Sequence, residues 1–99
     1  MTTRILFAAV LLCASGAGLA QDNTVARSLA ATCANCHGTE GRSVTREVAT
    51  LAGMRKEYIV SQMKAFKDGT RPATVMHQLA KGYTDQQIEL LAAYFAAKK

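Results

Sequence analysis

The chain has 99 residues, of which 49% are hydrophobic, and 12 Lys/Arg against 7 Asp/Glu give it a formal net charge of +5. That length suits one domain, and the apolar content is too high for a disordered chain. The cations are dispersed and only 6% of residues are aromatic, with no tryptophan, so no basic stripe with stacking rings points to nucleic acid. Three cysteines are too few for a multi-bridge disulfide framework.

The first element is residues 1–20. Arg4 precedes the apolar run 5–13 and a small-residue stretch ending Gly18-Leu19-Ala20, the pattern of a secretory signal peptide cleaved after Ala20. The run is well short of the roughly 20 residues that cross a bilayer, so no permanent membrane anchor is expected and the mature chain, 21–99, is assigned to the periplasm as a single domain. Cys13 leaves with the leader, and because it follows Leu12 it lacks the small neighbour a lipid-attachment cysteine has. In the mature chain 11 Lys/Arg (12 less Arg4) face 7 acids, a mildly basic balance that would favour an acidic protein partner.

A first helix is expected from a cap at Asp22 or Asn23 through Val25, Leu29, Ala30 and Cys33, where apolar residues recur at i, i+4 and i+8. It delivers Cys33-Ala34-Asn35-Cys36-His37 at its C-terminal end. In an exported protein, C-x-x-C-H is the attachment signature of a c-type haem. Two thiols one helical turn apart reach both vinyl edges of a porphyrin, and the next residue swings an imidazole beneath the iron. The competing readings are a redox disulfide, a zinc site built from Cys33, Cys36, His77 and a strained His37, and a chance pair of cysteines. A thiol-disulfide enzyme is disfavoured, because its C-x-x-C opens a helix near a βαβ pattern and no strand is evident here.

A loop with Gly38, Gly41 and Ser43 follows, and residues 38–53 hold no strand. A second helix runs from Arg55 to Asp68 with Ile59, Met63 and Phe66 on one face and Gly69 as its stop. Arg71-Pro72 breaks the chain. Residues 74–81 then form a short helix ending at Gly82 and presenting Val75, Met76 and Leu79. The last helix has the sharpest start: Thr84-Asp85-Gln86-Gln87 is a capping box, with Tyr83 and Ile88 as its hydrophobic staple. Its stripe of Ile88, Leu91, Ala92 and Phe95 should pack on the first helix.

With His37 on one side of an iron, the other axial position has four candidates: Met54, Met63, Met76 and His77. Met63 lies on an apolar stripe, where a core methionine is the ordinary explanation, and Met54 sits at a loop-to-helix junction. Met76 follows the turn at Arg71-Pro72 and is 39 residues past His37, far enough to round a porphyrin. His77 is adjacent, but helical neighbours point about 100° apart, so one of the two faces the metal; Met76 is favoured and His77 is assigned to the surface.

The order Leu29-Ala30-x-x-Cys33-x-x-Cys36-His37-Gly38-x-x-Gly41, then Leu51-Ala52-Gly53, Tyr58, Gln62-Met63, Phe66, Gly69, Arg71-Pro72, Met76 and Leu91-Ala92-Ala93-Tyr94-Phe95 resembles the small class I c-type cytochromes. Within them, the run from Lys64 to Tyr83 looks most like the cytochrome subunit of flavocytochrome c sulfide dehydrogenase. The resemblance implies an all-α fold of about four helices wrapped around one covalent haem c, with thioether links at Cys33 and Cys36 and axial ligation by His37 and Met76. It further implies a periplasmic electron-transfer protein, itself no enzyme, that relays electrons for a sulfide-oxidising flavoprotein subunit; a free-standing periplasmic carrier is the alternative. Leu29, Ile59, Val75, Leu79 and Phe95 would line the haem, and Lys64, Lys67, Arg71 and Lys81 would guide the partner. One departure is Thr50, where such cytochromes often carry proline before Leu-Ala-Gly; a backbone carbonyl near it would still accept from the His37 ring.

Overall fold

The computed structural model describes residues 17–99, with side chains described from residue 24 on; the apolar leader run and Cys13 lie outside the described residues. Every regular element among them is helical: α1 (Ala17–Ala31), α2 (Ala34–His37), a 3₁₀ turn (Thr39–Gly41), α3 (Lys56–Asp68), α4 (Met76–Ala80) and α5 (Asp85–Ala96). The all-α expectation holds, with five α-helices in place of about four.

The extra helix comes from a break in the first one. α1 begins at Ala17, so Asp22 and Asn23 lie inside it and do not start it. It ends at Ala31, where the Thr32 hydroxyl donates back to the Leu29 carbonyl and the Cys33 amide to the Ala30 carbonyl, both 3.1 Å. A side chain that competes for helical carbonyls in this way ends the ladder with neither glycine nor proline present.

α3 starts from an extended Arg55 (ψ 135°) and stops at Gly69 in the left-handed region (φ 84°). α5 starts at the expected capping box, with Thr84 accepting from the Gln87 amide at 3.1 Å and Gln87 accepting from the Thr84 amide at 2.9 Å. α1 and α3 both pack on α5, and α4 packs on α3. The core cluster is Ala30, Ile59, Leu91, Ala92 and Phe95, with Leu29, Met54, Met63, Tyr83 and Tyr94 against it. Alanines at 30 and 92 bring α1 and α5 close together. Ile59, Leu91 and Phe95, all at least 94% buried, each contribute about 1.5–3 kcal/mol.

Phe95 also fixes the loop before α3. The Phe95 carbonyl accepts from the Gly53 amide at 2.9 Å, and the Gly41 carbonyl accepts from the amides of Leu51 (2.7 Å) and Ala52 (3.1 Å). Gly41 has φ +80°, and a Cβ there would come within 2.7 Å of the Phe95 ring. The loop 42–50 therefore leaves the core and returns through a neck closed at Gly41 and Leu51, with Val44 fully out in solvent at its tip.

Candidate functional site

Cys33, Cys36 and His37 are folded into one tight turn, in which the Cys33 carbonyl accepts from the amides of both Cys36 (3.3 Å) and His37 (2.9 Å). The motif thus occupies a turn and a short helix of its own beyond the end of α1. Gly38 ends it with φ +84°, and no side chain fits there because a Cβ would lie 1.9 Å from the Arg42 carbonyl oxygen. Both cysteines are free thiols, Cys33 half-buried and Cys36 exposed. Burial pushes the Cys33 thiol up, against weaker opposing hydrogen bonds from Thr32 and its own backbone.

The His37 ring is held by its Nδ1, 2.6 Å from the Ala49 carbonyl. A carbonyl only accepts, so Nδ1 carries the proton and Nε2 keeps its lone pair for a metal. The acceptor is Ala49, one residue before Thr50. Thr50 acts on the same loop differently: its Oγ1 accepts from the Ser43 amide at 3.2 Å, closing the neck next to the carbonyl that orients His37.

The sixth-position candidates separate. Met54 and Met63 pack against the core cluster. Met76 is the first residue of α4 and half-buried, in a separate part of the chain from the cysteine turn. His77 is not on the surface: it is half-buried, and its Nδ1 is buried with no hydrogen-bond partner. The helix that carries it, α4, packs on α3. Of the five side chains expected around a haem, Ile59 and Phe95 are buried and Leu29 half-buried, while Val75 and Leu79 stand about half exposed.

The basic grouping expected to guide a partner is only partly free. Lys67 turns inward, donating to the Tyr83 carbonyl at 2.6 Å and lying 3.9 Å from Asp85. Arg71 lies 4.6 Å above the Phe66 ring and bonds the Gln62 side chain. Lys64 and Lys81 are exposed and make no ion pair among the described residues. The Lys67 contacts are long-range, 16 residues apart for Tyr83, and spacing along the chain does not register them.

The donor set fits a covalently held haem: two free thiols one turn apart, an imidazole whose outer nitrogen is occupied and inner one available, and a methionine outside the core cluster. A zinc site is not assembled, since no three His, Cys, Asp or Glu side chains converge among the described residues. No helix among them is long and apolar enough to cross a membrane.

Comparison with known proteins agrees. The cytochrome c family model matches residues 23–97. The chain is 40% identical over 103 aligned positions to the cytochrome subunit of sulfide dehydrogenase from Chlorobaculum tepidum, covering 92% of this chain and 93% of that one. It is 36% identical to cytochrome c4 of Pseudomonas aeruginosa, over 95% of this chain but 48% of the relative. The solved cytochrome c4 of Acidithiobacillus ferrooxidans superposes with a TM-score of 0.67 at 32% identity, over 82% of this chain and 49% of that one. The chain thus spans about half the length of these c4 relatives and nearly all of the sulfide dehydrogenase subunit.

Proposed function

The chain belongs to the cytochrome c family and is an electron-transfer protein rather than an enzyme, and on that premise we propose that it carries one haem, bound through Cys33 and Cys36 and ligated by His37 and Met76. The haem supplies reversible one-electron iron chemistry. The observation that carries this reading is the 2.6 Å bond from His37 Nδ1 to the Ala49 carbonyl, because it fixes both tautomer and ring plane for axial ligation inside a C-x-x-C-H turn. A methionine sulfur opposite a histidine raises the potential relative to a second imidazole, and buried Ile59 and Phe95 act in the same direction by keeping water away. With His37 and Met76 both holding the iron, substrate would have no access to it, and electrons would pass at the protein surface.

We further propose that the mature protein is exported, with its leader cleaved after Ala20, and that it serves as the haem subunit of a sulfide-oxidising flavoprotein assembly in the periplasm. The near-complete overlap with a sulfide dehydrogenase cytochrome subunit supports this. A freely diffusing carrier is the second reading; the mildly basic charge balance serves either. Mass spectrometry of denatured periplasmic protein should show the chain from Gln21 plus one haem, and a haem-free mass in functional protein would sink the first proposal. Gel filtration of native extract, followed at the haem band at low and high salt, decides the second. A complex that persists through high salt supports the subunit, and haem eluting only at monomer size leaves the carrier.

A further inference from the structure

Tyr83 is held at both ends. Its carbonyl accepts from Lys67 Nζ of α3 at 2.6 Å, and its phenol oxygen lies 2.9 Å from Oγ1 of Thr32, 51 residues away and next to Cys33. The Thr32 hydroxyl proton is already given to the Leu29 carbonyl at 3.1 Å. A hydroxyl has one proton, so Tyr83 is the donor to Thr32. The ring itself packs against the core cluster.

Between Tyr83 and α4 the backbone is continuous and stiff: the Gly82 amide donates to the Leu79 carbonyl (3.1 Å) and the Tyr83 amide to the Ala80 carbonyl (3.2 Å). Whatever restrains Tyr83 therefore restrains α4. The helix needs it. It is five residues long, has no side-chain cap at its start, and leaves Val75 and Leu79 about half exposed, whereas isolated helices of such length have no stability of their own.

We propose that the Tyr83–Thr32 pair is a latch that ties α4, which packs on α3 and carries Met76, to the turn beyond α1 that carries Cys33; Tyr83 and Thr32 are thus positioning residues for the distal ligand. This rests on the reading of Met76 as that ligand. The latch is accessible to water, because both residues border an apolar hollow of about 370 Å³ lined also by Thr24, Val25, Ser28 and Leu29. It restrains without locking. A cytochrome that keeps its methionine bound in both oxidation states reorganises little on electron transfer, and a tether from the ligand's helix to the attachment turn serves that end.

The test uses the ferric mature holoprotein and added imidazole, which displaces a methionine ligand once α4 lifts. The rate at saturating imidazole, read from loss of the weak sulfur-to-iron absorption in the red, reports the opening. One neutral hydrogen bond corresponds to about a fivefold change in that opening. Tyr83→Phe and Thr32→Val should each raise the rate about fivefold, the double variant no further, and Thr32→Ser should return it to the parent value. Equal rates in parent and Tyr83→Phe would overturn the latch. So would a rise in Tyr83→Phe with none in Thr32→Val, which would assign the effect to ring packing, or a double variant equal to the product of the singles. Thr32→Val leaves the Tyr83 ring in place, so the test stands if Tyr83→Phe takes up no haem. Met76→Ala separates the two readings: an absorption band that survives it overturns the ligand assignment, whereas a band lost there with unchanged opening in the latch variants overturns the latch alone.

Discussion

Gly41→Ala should destabilise the holoprotein severely, and the size of the loss follows from two separate costs. The residue sits at φ +80°, a region that costs an L-residue with a Cβ roughly 1–2 kcal/mol. The added methyl would also meet Phe95 Cδ1 at 2.7 Å and Cε1 at 2.9 Å. Phe95 is 3% exposed and lies in the core cluster, so its ring has no free space to swing into. Forcing one extra methyl into such a packed site costs about 1–3 kcal/mol. The two together come to about 2–5 kcal/mol, which for a domain of this size lowers the thermal midpoint by roughly 10 °C or more. Gly69→Ala is the internal control: a similar φ, 84°, with nothing within 4 Å of the new Cβ leaves the first cost alone. Thermal unfolding followed by far-ultraviolet circular dichroism measures both. Equal losses in the two variants would refute the argument that the ring sets the difference.

Met76→Ala should abolish the sulfur-to-iron absorption band of the ferric protein, while Met54→Ala, Met63→Ala and His77→Asn retain it; a band that survives Met76→Ala but vanishes in Met54→Ala or Met63→Ala would transfer the ligand role to that methionine. Thr84→Ala removes one half of the capping box and should cost about 1 kcal/mol, read by denaturant titration, and an unchanged midpoint would mean the α5 start is held by Ile88 packing alone. Asp68 is held below the usual carboxylate range by the hydroxyl of Thr70 first and its amide second. A group depressed in the folded state stabilises above the ordinary carboxylate range and loses that contribution as pH falls through its folded value. Thr70→Val should therefore raise the Asp68 titration seen by carbon NMR and weaken the acid sensitivity of the α3 end; a titration that stays put would assign the depression to another cause.

What the sequence carried well was written in short-range code. The start of α5 is specified within Thr84–Gln87, the stop of α3 by Gly69, and the site turn by five consecutive residues. The break after Ala31 was not visible, because it depends on a threonine bonding backward, a choice that a helix-compatible residue makes only in context. The inward turn of Lys67 and the partial burial of His77 depend on which helices meet, and residues far apart along the chain decide that, while exposed Arg71 settles on Phe66 and Gln62 of the preceding helix. The orientation of His37 was half visible: an acceptor near Thr50 was expected, and Ala49 supplies it. The Tyr83–Thr32 contact spans 51 residues and leaves no local pattern.

The narrow neck of the 42–50 loop has a practical consequence for engineering. Its two stems are fastened at Gly41 and Leu51 and again at Ser43 and Thr50, while the tip, residues 44–47, is exposed, with Val44 at 95%. Chain added at such a tip pays only closure entropy, about 0.6 kcal/mol for each doubling of loop length. A short glycine-serine insert beside Val44 bearing a surface-reactive group should leave the thermal midpoint within a few degrees of the parent. The loop would then serve as a tether for wiring the protein to an electrode from its histidine side, and a large drop in the midpoint would show that the tip is bound to the fold after all.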